Sequence, residues 1–464
     1  MSLARSVLTP ASSRGLVAAV ARLAGASVSS SSSSVGGIAA RRSFTTTSAD
    51  SIKVAAADDG SATTTITVAI KAGPRYESSP GVAHALKNFF FKANHKRSAL
   101  ALIREAELYG GFFSSSTTKE HILLTADFLR GDEDFFVEVL GDAVSQAKFA
   151  RHEYSESVVP LIQSDAEFAA ANPLVSGFDQ LTSTAYRNRG LGASLFASHS
   201  SPISYSDVQH YAKSVLAKNN LAVLGSGIES EKLAKLVQQH FAPLSPSASS
   251  ASTTKTPSTY YGGEHRVQYA PAHHDSSARA SFGHVFLAFE GAANGASPEL
   301  AVLRSLLGGE SSVKWSKGQS PLSAISAQAP GATVSAFNLG FSDAGLFGIH
   351  VSAPHERIAA VAKSAMNALK EIASQSKVDD IKRAVAKAKF EAAATLEGRA
   401  ASHEAVSSQL LESGSVSTLD SVFSALDKVD ASALSKAAEK LLKSKPTTVV
   451  VGDVHKLPYA DECL

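Results

Sequence analysis

The feature that most constrains the fold is an order of strands and helices that the chain contains twice. The first copy begins with an apolar strand at residues 65–70, followed by a turn and then Ser79 before a proline. The second begins with an apolar strand at 285–289, followed by a Gly/Asn turn and then Ser297 before a proline. Serine followed by proline is typical of a helix start, with serine as the N-cap. Both copies therefore predict a strand, a turn and a helix.

The two copies also end alike. In each, a helix leads into an apolar strand closed by glycine, at 220–225 and at 447–452. Between the copies, residues 244–262 are rich in Ser, Thr and Pro without periodicity, which indicates a linker. We therefore predict an α+β fold of two homologous α/β sandwich halves, each a mixed sheet covered by helices, over residues 45–243 and 263–464.

The first 44 residues have the composition of a mitochondrial transit peptide. They contain no acidic residue, a serine run at 29–34 and five arginines: Arg5, Arg14, Arg22, Arg41 and Arg42. An Arg-rich, Ser-rich and acid-free segment is typical of an import address. Arginine three residues before a cut resembles a processing pattern, so we predict cleavage between Phe44 and Thr45.

Charge and cysteine content exclude several classes of protein. Lys plus Arg number 44 against 42 Asp plus Glu, a net charge of +2, so no bulk field favours nucleic acid. Cys463 is the single cysteine, so neither an intramolecular disulfide nor a cysteine zinc cluster can form. No run of eighteen apolar residues occurs, and we expect no transmembrane span.

The helix expected after the first Ser-Pro pair carries the most informative residues. One face is an apolar stripe of Val82, Leu86 and Phe89. The opposite face carries polar residues at i, i+3 and i+4, namely His84, Lys87 and Asn88. This is the spacing of the inverted zinc motif H-x-x-E-H, in which two histidines hold zinc and the glutamate activates water.

This segment resembles the family of the mitochondrial processing peptidase, which includes pitrilysin-type metallopeptidases and the core proteins of respiratory complex III. Further matches follow in order at 103–111, a helix ending in Gly-Gly, and at 116–121, a strand entry. Residues 178–186 and 190–192 resemble the segment beyond the distal zinc ligand. The resemblance covers nearly the whole chain after the transit peptide and implies two halves of the processing-peptidase type.

The departures from the family's zinc motif predict that the chain is not a peptidase. His84 matches the first ligand, but Lys87 stands at the position of the catalytic glutamate and Asn88 at that of the second histidine. The distal glutamate position falls near Ser164 or Asp165. One good ligand remains where catalytic zinc requires three. We therefore expect no metal, no catalytic residue and no cofactor, with His84 an ordinary helical histidine.

The second half contains a degenerate glycine loop at 308–318. In the family, the noncatalytic subunit of the processing peptidase has a glycine-rich loop here that handles presequences. This chain keeps only three glycines, Gly308, Gly309 and Gly318, and carries a bulky Trp315 between them. We expect a surface contact rather than presequence handling.

Within the family, these departures favour a non-catalytic core protein of complex III. The resemblance implies a peripheral subunit on the matrix side of the mitochondrial inner membrane. The partners it implies are the other core protein, cytochrome b and further subunits of a homodimeric complex, with no nucleic acid. The alternative is the noncatalytic, presequence-binding subunit of the processing peptidase, which the transit peptide and the fold favour and the degenerate glycine loop disfavours.

Overall fold

The computed structural model describes residues 44–198, 203–247, 257–269, 282–293, 297–309, 318–374 and 377–464. Three predicted features therefore lie wholly or partly outside the described residues. These are the transit peptide over 1–43, residues 248–256 of the linker and residues 310–317 of the glycine loop.

The first half is built on a six-stranded mixed sheet. Its strands are β1 (Thr45–Ala49), β2 (Ile52–Ala57), β3 (Thr63–Ile70), β4 (Phe112–Thr117), β5 (Ile122–Leu129) and β6 (Leu221–Ser226). Their order across the sheet is β1-β2-β6-β3-β5-β4, and only β2 and β6 run parallel.

The second half is built on a five-stranded mixed sheet with the same topology. Its strands are β7 (Gly263–Gln268), β8 (Phe282–Glu290), β9 (Thr333–Gly340), β10 (Gly345–Pro354) and β11 (Thr447–Gly452). The order β7-β11-β8-β10-β9 repeats β2-β6-β3-β5-β4, and its first pair is again the parallel one. The prediction of two homologous halves is therefore confirmed.

Fifteen helices of the described residues are labelled here. Those of the first half are α1 (Val82–Phe89), α2 (Ala99–Leu108), α3 (Glu133–Ser145), α4 (Val159–Ala171), α5 (Pro173–Ala185), α6 (Tyr205–Val215) and α7 (Ser230–His240). Those of the second half are α8 (Pro298–Leu307), α9 (Pro321–Gln328), α10 (Ile358–Ser374), α11 (Val378–Glu397), α12 (Arg399–Ser413), α13 (Leu419–Asp427), α14 (Ala431–Lys443) and α15 (Ala460–Cys463).

Each sheet buries one face under helices of its own half. In the first half, α1, α3, α6 and α7 cover the face that carries Ile66, Val68 and Leu124. The buried positions of α6 recur at i, i+3, i+4 and i+7, the spacing of an amphipathic helix: Val208, Tyr211, Ala212 and Val215. In the second half, the face with Val285 and Leu287 is covered mainly by α8, α10 and α14.

The opposite face of each sheet is covered by a helix from the other half. Helix α5 of the first half packs on β7, β8 and β11, whereas α12 of the second half packs on β2, β3 and β6. The halves thus exchange one helix each. Because neither sheet can bury its second face alone, the exchange joins both halves into one folded unit.

The contact of α5 with the second sheet depends on a glycine. The ring of Phe178 packs edge-on against Phe286 at 5.1 Å and Phe337 at 5.0 Å between centroids. A Cβ on the neighbouring Gly177 would lie 2.1 Å from the Phe286 ring. Glycine therefore permits the close approach of helix and strand at this point.

The contact of α12 with the first sheet is polar at its centre. His403 is buried, and its two ring nitrogens lie 2.8 Å from Thr67 Oγ1 and 2.7 Å from Ser226 Oγ. Apolar side chains on the same helix, Val406 and Leu410, pack beside this bridge. Lys53 of β2 then donates hydrogen bonds to two carbonyls near the end of α12, those of Leu410 and Leu411.

The Ser-Pro helix start predicted in the second half is present in the structure. Ser297 caps α8 as predicted, because its hydroxyl accepts a hydrogen bond from the Leu300 N–H.

Within the described part of the chain, no helix is both long enough and apolar enough to cross a membrane.

Candidate functional site

Helix α1, which carries the motif residues, starts at a glycine and a remote carboxylate. Gly81 has φ 87°, and a Cβ there would lie 2.6 Å from that of Ala197, so the position requires glycine. The Glu77 carboxylate accepts hydrogen bonds from the N–H groups of Gly81 at 3.0 Å and Ala83 at 3.3 Å. The prediction that Ser79 caps this helix is therefore wrong.

The polar face of α1 converges on one carboxylate oxygen of helix α4. Asp165 Oδ2 lies 2.8 Å from Lys87 Nζ, 3.1 Å from His84 Nε2 and 3.3 Å from Asn88 Nδ2. All four side chains are buried. Of the two sequence candidates for the distal position, Ser164 and Asp165, the structure brings Asp165 to the motif.

The protonation of His84 follows from its two partners. The backbone N–H of Ala197 donates to Nδ1 at 3.2 Å, so Nδ1 carries a lone pair and Nε2 carries the proton that it donates to Asp165. Burial lowers the pKa of His84, which keeps the ring neutral. The ring of Phe196 packs edge-on against it at 5.6 Å. His84 is thus a fixed hydrogen-bond donor.

Lys87 and Asp165 form a buried ion pair. Burial lowers the pKa of Lys87, and the attraction of Asp165 opposes that shift. For Asp165, burial alone would raise the pKa, but the hydrogen bond from His84 and the charge of Lys87 hold it well below its usual value. The carboxylate is therefore ionised at neutral pH, with an ammonium group as its counter-charge.

These residues do not fit a catalytic zinc ion. Zinc needs lone pairs from nitrogen, oxygen or sulfur, whereas the protonated Nε2 of His84, the Lys87 ammonium and the Asn88 amide N–H all donate hydrogen bonds to Asp165. Within the ranges that the structure describes, no three His, Cys, Asp or Glu side chains group as a metal site. An ammonium also cannot act as a general base while it keeps its proton.

A second buried ion pair supports the first. Lys119 Nζ lies 2.6 Å from Asp179 Oδ1 and 2.7 Å from the Ala193 carbonyl oxygen. Asp179 also accepts hydrogen bonds from the Ser194 hydroxyl at 2.6 Å and the Leu195 N–H at 3.0 Å. This network fixes the segment that supplies the Ala197 N–H to the motif. Two sequence matches to the family, at 116–121 and 178–186, therefore meet in one place, and the segment that they hold directly follows the third match, at 190–192.

Arg75 links the two halves beside this network. Its guanidinium lies 2.9 Å from Glu120 Oε1 in the first half and 2.6 Å from Asp343 Oδ2 in the second. Ser342 N–H donates to Glu120 at 2.9 Å, and Ser258 N–H, at the end of the predicted linker, donates to Asp343 at 3.0 Å. The Arg75 side chain is 2% exposed. We call these five residues the clasp.

No pattern in the sequence predicts the clasp. Arg75 and Asp343 are 268 residues apart, and neither belongs to a recognisable spacing. An arginine in a turn between apolar segments was the only observable feature, and such a residue is usually solvated.

The glycines of the degenerate loop have structural surroundings of their own. Gly308 ends α8 with φ 72°, and a Cβ there would lie 2.3 Å from the Ser320 hydroxyl oxygen. Gly309 packs on Ser335, and a Cβ added to Gly309 would lie 3.0 Å from the Ser335 Cα. Gly318 has φ 85°. Trp315 lies outside the described residues.

The predicted cleavage site lies at the start of the fold. Thr45 is the first residue of β1, the edge strand of the first sheet. The half-buried Phe44 ring packs edge-on against His403, with centroids 6.1 Å apart. The peptide bond between them thus joins a residue packed on α12 to an exposed strand.

The chain matches two family models. One, described as insulinase (peptidase family M16), matches residues 53–199. The other, described as peptidase M16 inactive domain, matches residues 202–388. Together the two models match residues 53–388 except 200 and 201, and so reach into both halves.

Curated relatives match over most of the chain. The mitochondrial cytochrome b-c1 complex subunit 2 of Cryptococcus neoformans var. grubii is 44% identical over 86% of this chain and 89% of its own. That of Neurospora crassa is 35% identical over 86% of each chain. That of Yarrowia lipolytica is also 35% identical, over 86% of this chain and 91% of its own.

Proposed function

The chain belongs to the M16 peptidase family, and we propose that it is subunit 2 of the mitochondrial cytochrome b-c1 complex, respiratory complex III. It is a non-catalytic structural core subunit, an inactive homologue of the metallopeptidases. Its function is to support the assembly and stability of the complex that transfers electrons from ubiquinol to cytochrome c. The electron-transfer groups belong to other subunits.

The observation that carries this function is the similarity to subunit 2 proteins over 86% of the chain, at up to 44% identity. The site agrees in its chemistry, because Lys87 and Asn88 replace the base and the second histidine that hydrolysis by the family mechanism needs. A fold that keeps a peptidase architecture and loses its metal chemistry fits a structural role.

We treat the polar cluster of His84, Lys87, Asn88 and Asp165 as the vestige of the family's zinc motif. The lysine ammonium supplies the positive charge that a metal ion supplies in the active relatives. This replacement is supported by the convergence of all three α1 side chains on one carboxylate oxygen. On this account the site stabilises α1 against α4 and binds no metal.

The division of the chain is part of the proposal. Residues 1–44 form a transit peptide that is cleaved between Phe44 and Thr45. Residues 45–243 and 263–464 form the two halves, and 244–262 join them. Gly308, Gly309 and Gly318 belong to a loop that no longer handles presequences. Mass spectrometry of the mature amino terminus tests the cleavage site.

The chain is mitochondrial, and its partners are other subunits of complex III. More specifically, we propose that it lies on the matrix side of the inner membrane and pairs with core protein 1. Contacts with cytochrome b within a homodimeric complex are part of the same proposal. The implied processing after Phe44 supports import into the matrix.

A native gel tests the proposed function. Mitochondria are solubilised gently, the chain is located with a tag at its carboxyl end, and haem absorbance is recorded in every band. The proposal expects the chain in a large band with b- and c-type haem. A small haem-free heterodimer that binds presequence peptides would contradict it and favour the processing-peptidase subunit instead.

A further inference from the structure

The residue before the proposed cleavage site is held by the second half of the chain. The half-buried Phe44 ring packs edge-on against His403 of α12, with centroids 6.1 Å apart. The ring also packs against the apolar cluster between α12 and the first sheet, which includes Ala55, Val406 and Leu410. The last residue of the proposed transit peptide is therefore part of the contact between the two halves.

The part of α12 that Phe44 contacts is fixed on the first sheet. Arg399, the first residue of α12, donates hydrogen bonds to the hydroxyl oxygens of Thr63 at 2.8 Å and Thr65 at 3.3 Å. One turn later, His403 bridges β3 and β6 through its buried hydrogen bonds. Phe44 lines a pocket at this junction with residues of both halves: Ala57, Ser226, Leu396, Arg399 and Ser402. Moving α12 away from Phe44 therefore breaks hydrogen bonds between the halves.

The residue after the proposed cleavage site is held by the first half. Thr45 pairs with Ala56 of β2 as the first residue of β1. Its carbonyl oxygen accepts a hydrogen bond from the Ser230 hydroxyl at 3.5 Å, and Ser230 Oγ also lies 3.2 Å from Thr47 Oγ1. Contacts from the folded structure thus hold the chain on both sides of the bond between Phe44 and Thr45.

These contacts determine how a peptidase can reach the bond. Proteolysis within a folded region proceeds through a locally opened state, and its rate follows the population of that state when opening and closing are fast. Opening at this bond requires the Phe44 ring to leave His403 and the start of β1 to leave β2. Every contact that holds Phe44 on α12 therefore lowers the rate of cleavage.

We propose that α12, once docked on the first sheet, shields the bond between Phe44 and Thr45 from the processing peptidase. A helix of the second half thereby controls a cleavage at the start of the first half. The inference rests on the cleavage site given under the proposed function and adds an order of events to it. The transit peptide is removed first, and the two halves exchange their helices afterwards.

Cleavage of the full-length precursor by purified mitochondrial processing peptidase tests this order. One sample of precursor is folded, and a second is unfolded in urea and diluted into the assay immediately before the peptidase is added. The folded precursor should be cleaved at least about tenfold more slowly, because the half-buried ring must first leave its pocket. Mass spectrometry of the product identifies the bond that is cut.

Substitutions in the second half separate shielding from the sequence around the bond. His403→Gln removes the ring that Phe44 packs against, and Leu396→Ala shortens a side chain that lines the pocket. Both should raise the cleavage rate of the folded precursor roughly three- to tenfold. Neither should change the rate for the unfolded precursor, because the residues around the bond stay the same.

The matched control is Gly177→Ala, which disturbs the contact of α5 with Phe286 on the second sheet and not the contact of α12 with Phe44. It should leave the cleavage rate of the folded precursor unchanged, because its effect on stability arises elsewhere in the fold. Equal acceleration by His403→Gln and Gly177→Ala would overturn the inference, since the rate would then follow the stability of the whole protein.

Two further results would overturn the shielding and leave the proposed structural role in complex III standing. One is an equal cleavage rate for the folded and the unfolded natural precursor. The other is cleavage at a bond other than that between Phe44 and Thr45. A small haem-free heterodimer on the native gel would do the reverse, because it would contradict the proposed function without bearing on this bond.

Discussion

The ammonium nitrogen of Lys87 lies 2.8 Å from Oδ2 of Asp165, in the buried contact between helices α1 and α4. Because both groups are buried, the pair is a fixed feature of the core rather than a surface contact. The fold should therefore depend on the balance of these two charges, and this dependence can be measured.

Breaking the pair should destabilise the protein strongly. Lys87→Met leaves the ionised Asp165 buried without its counter-charge, which costs on the order of 3–5 kcal/mol of unfolding free energy. Lys87→Met combined with Asp165→Leu removes both charges and should recover most of that loss. Urea unfolding of the purified mature chain measures the free energy of unfolding of the natural protein, the single variant and the double variant.

The matched control for this cycle is Lys443→Met, because Lys443 has a side chain 79% exposed and a weak surface pair. It should change the unfolding free energy by less than about 0.5 kcal/mol. Equal effects at Lys87 and Lys443 would mean that the buried pair is not maintained in solution.

The clasp should couple the two halves. Arg75→Ala leaves Glu120 and Asp343 without their shared cation and should cost on the order of 3 kcal/mol. Arg383→Ala, in an exposed pair on α11, should cost less than about 0.5 kcal/mol. Limited proteolysis across residues 244–262 should also be faster in Arg75→Ala. Asp343, the partner of Arg75, accepts a hydrogen bond from the Ser258 N–H in this segment. Unchanged proteolysis would argue against a link between clasp and linker.

Gly177 should resist replacement even though it lies within a helix. Alanine is normally favoured over glycine there by about 1 kcal/mol, but its Cβ would lie 2.1 Å from the Phe286 ring. Gly177→Ala should therefore destabilise by about 1–3 kcal/mol through overpacking. Thermal unfolding of Gly177→Ala with and without Phe286→Leu separates the causes, because the smaller side chain should relieve the clash. Stabilisation by Gly177→Ala alone would contradict the packing of α5 on the second sheet.

The free energy of unfolding should fall as the pH decreases, partly because of His403. Burial lowers the pKa of His403 to about 3 from its usual 6.5. Between these values the unfolded chain binds a proton and the folded chain does not, so this contribution is fully present above pH 6.5 and is lost progressively as the pH falls toward 3. The unfolding free energy then falls with decreasing pH by up to about 1.4 kcal/mol per unit from this residue alone.

His403→Gln should remove about one proton from the slope of unfolding free energy against pH between pH 6 and 4.5. Other buried histidines contribute equally to both proteins, so the difference isolates His403. An unchanged slope in His403→Gln would contradict the buried neutral ring.

The two-half fold could be predicted because its signals are local. Apolar runs at 65–70 and 285–289 became β3 and β8, and the same order of turn and helix followed each. The exchange of α5 and α12 could not be predicted, because an amphipathic helix shows which face is buried but not which sheet covers it. The cap of α1 was predicted wrongly for a similar reason. The Glu77 carboxylate contacts the N–H groups at the start of the helix only because the preceding turn folds back, whereas Ser79 has only the usual sequence position of an N-cap.

The residues of the candidate site could be grouped from the sequence alone only where they share a helix. His84, Lys87 and Asn88 could be grouped by helical spacing alone, and their common face followed from it. The fourth member required a choice between Ser164 and Asp165, which point about 100° apart on α4, and only the packing of α4 on α1 decides between them. Arg75 and Asp343 meet across the two halves, a relation that no spacing along the chain contains.

The most direct test of the account is the zinc content of the purified mature chain after incubation with zinc and removal of the free ion. The account predicts far less than one zinc per chain for the natural sequence, because Lys87 fills the site and the Nε2–H group of His84 donates a hydrogen bond to Asp165. Lys87→Glu with Asn88→His supplies the missing ligand and base and should bind about one zinc per chain. One zinc per natural chain, lost on Asp165→Ala, would contradict the claim that an ion pair has replaced the metal.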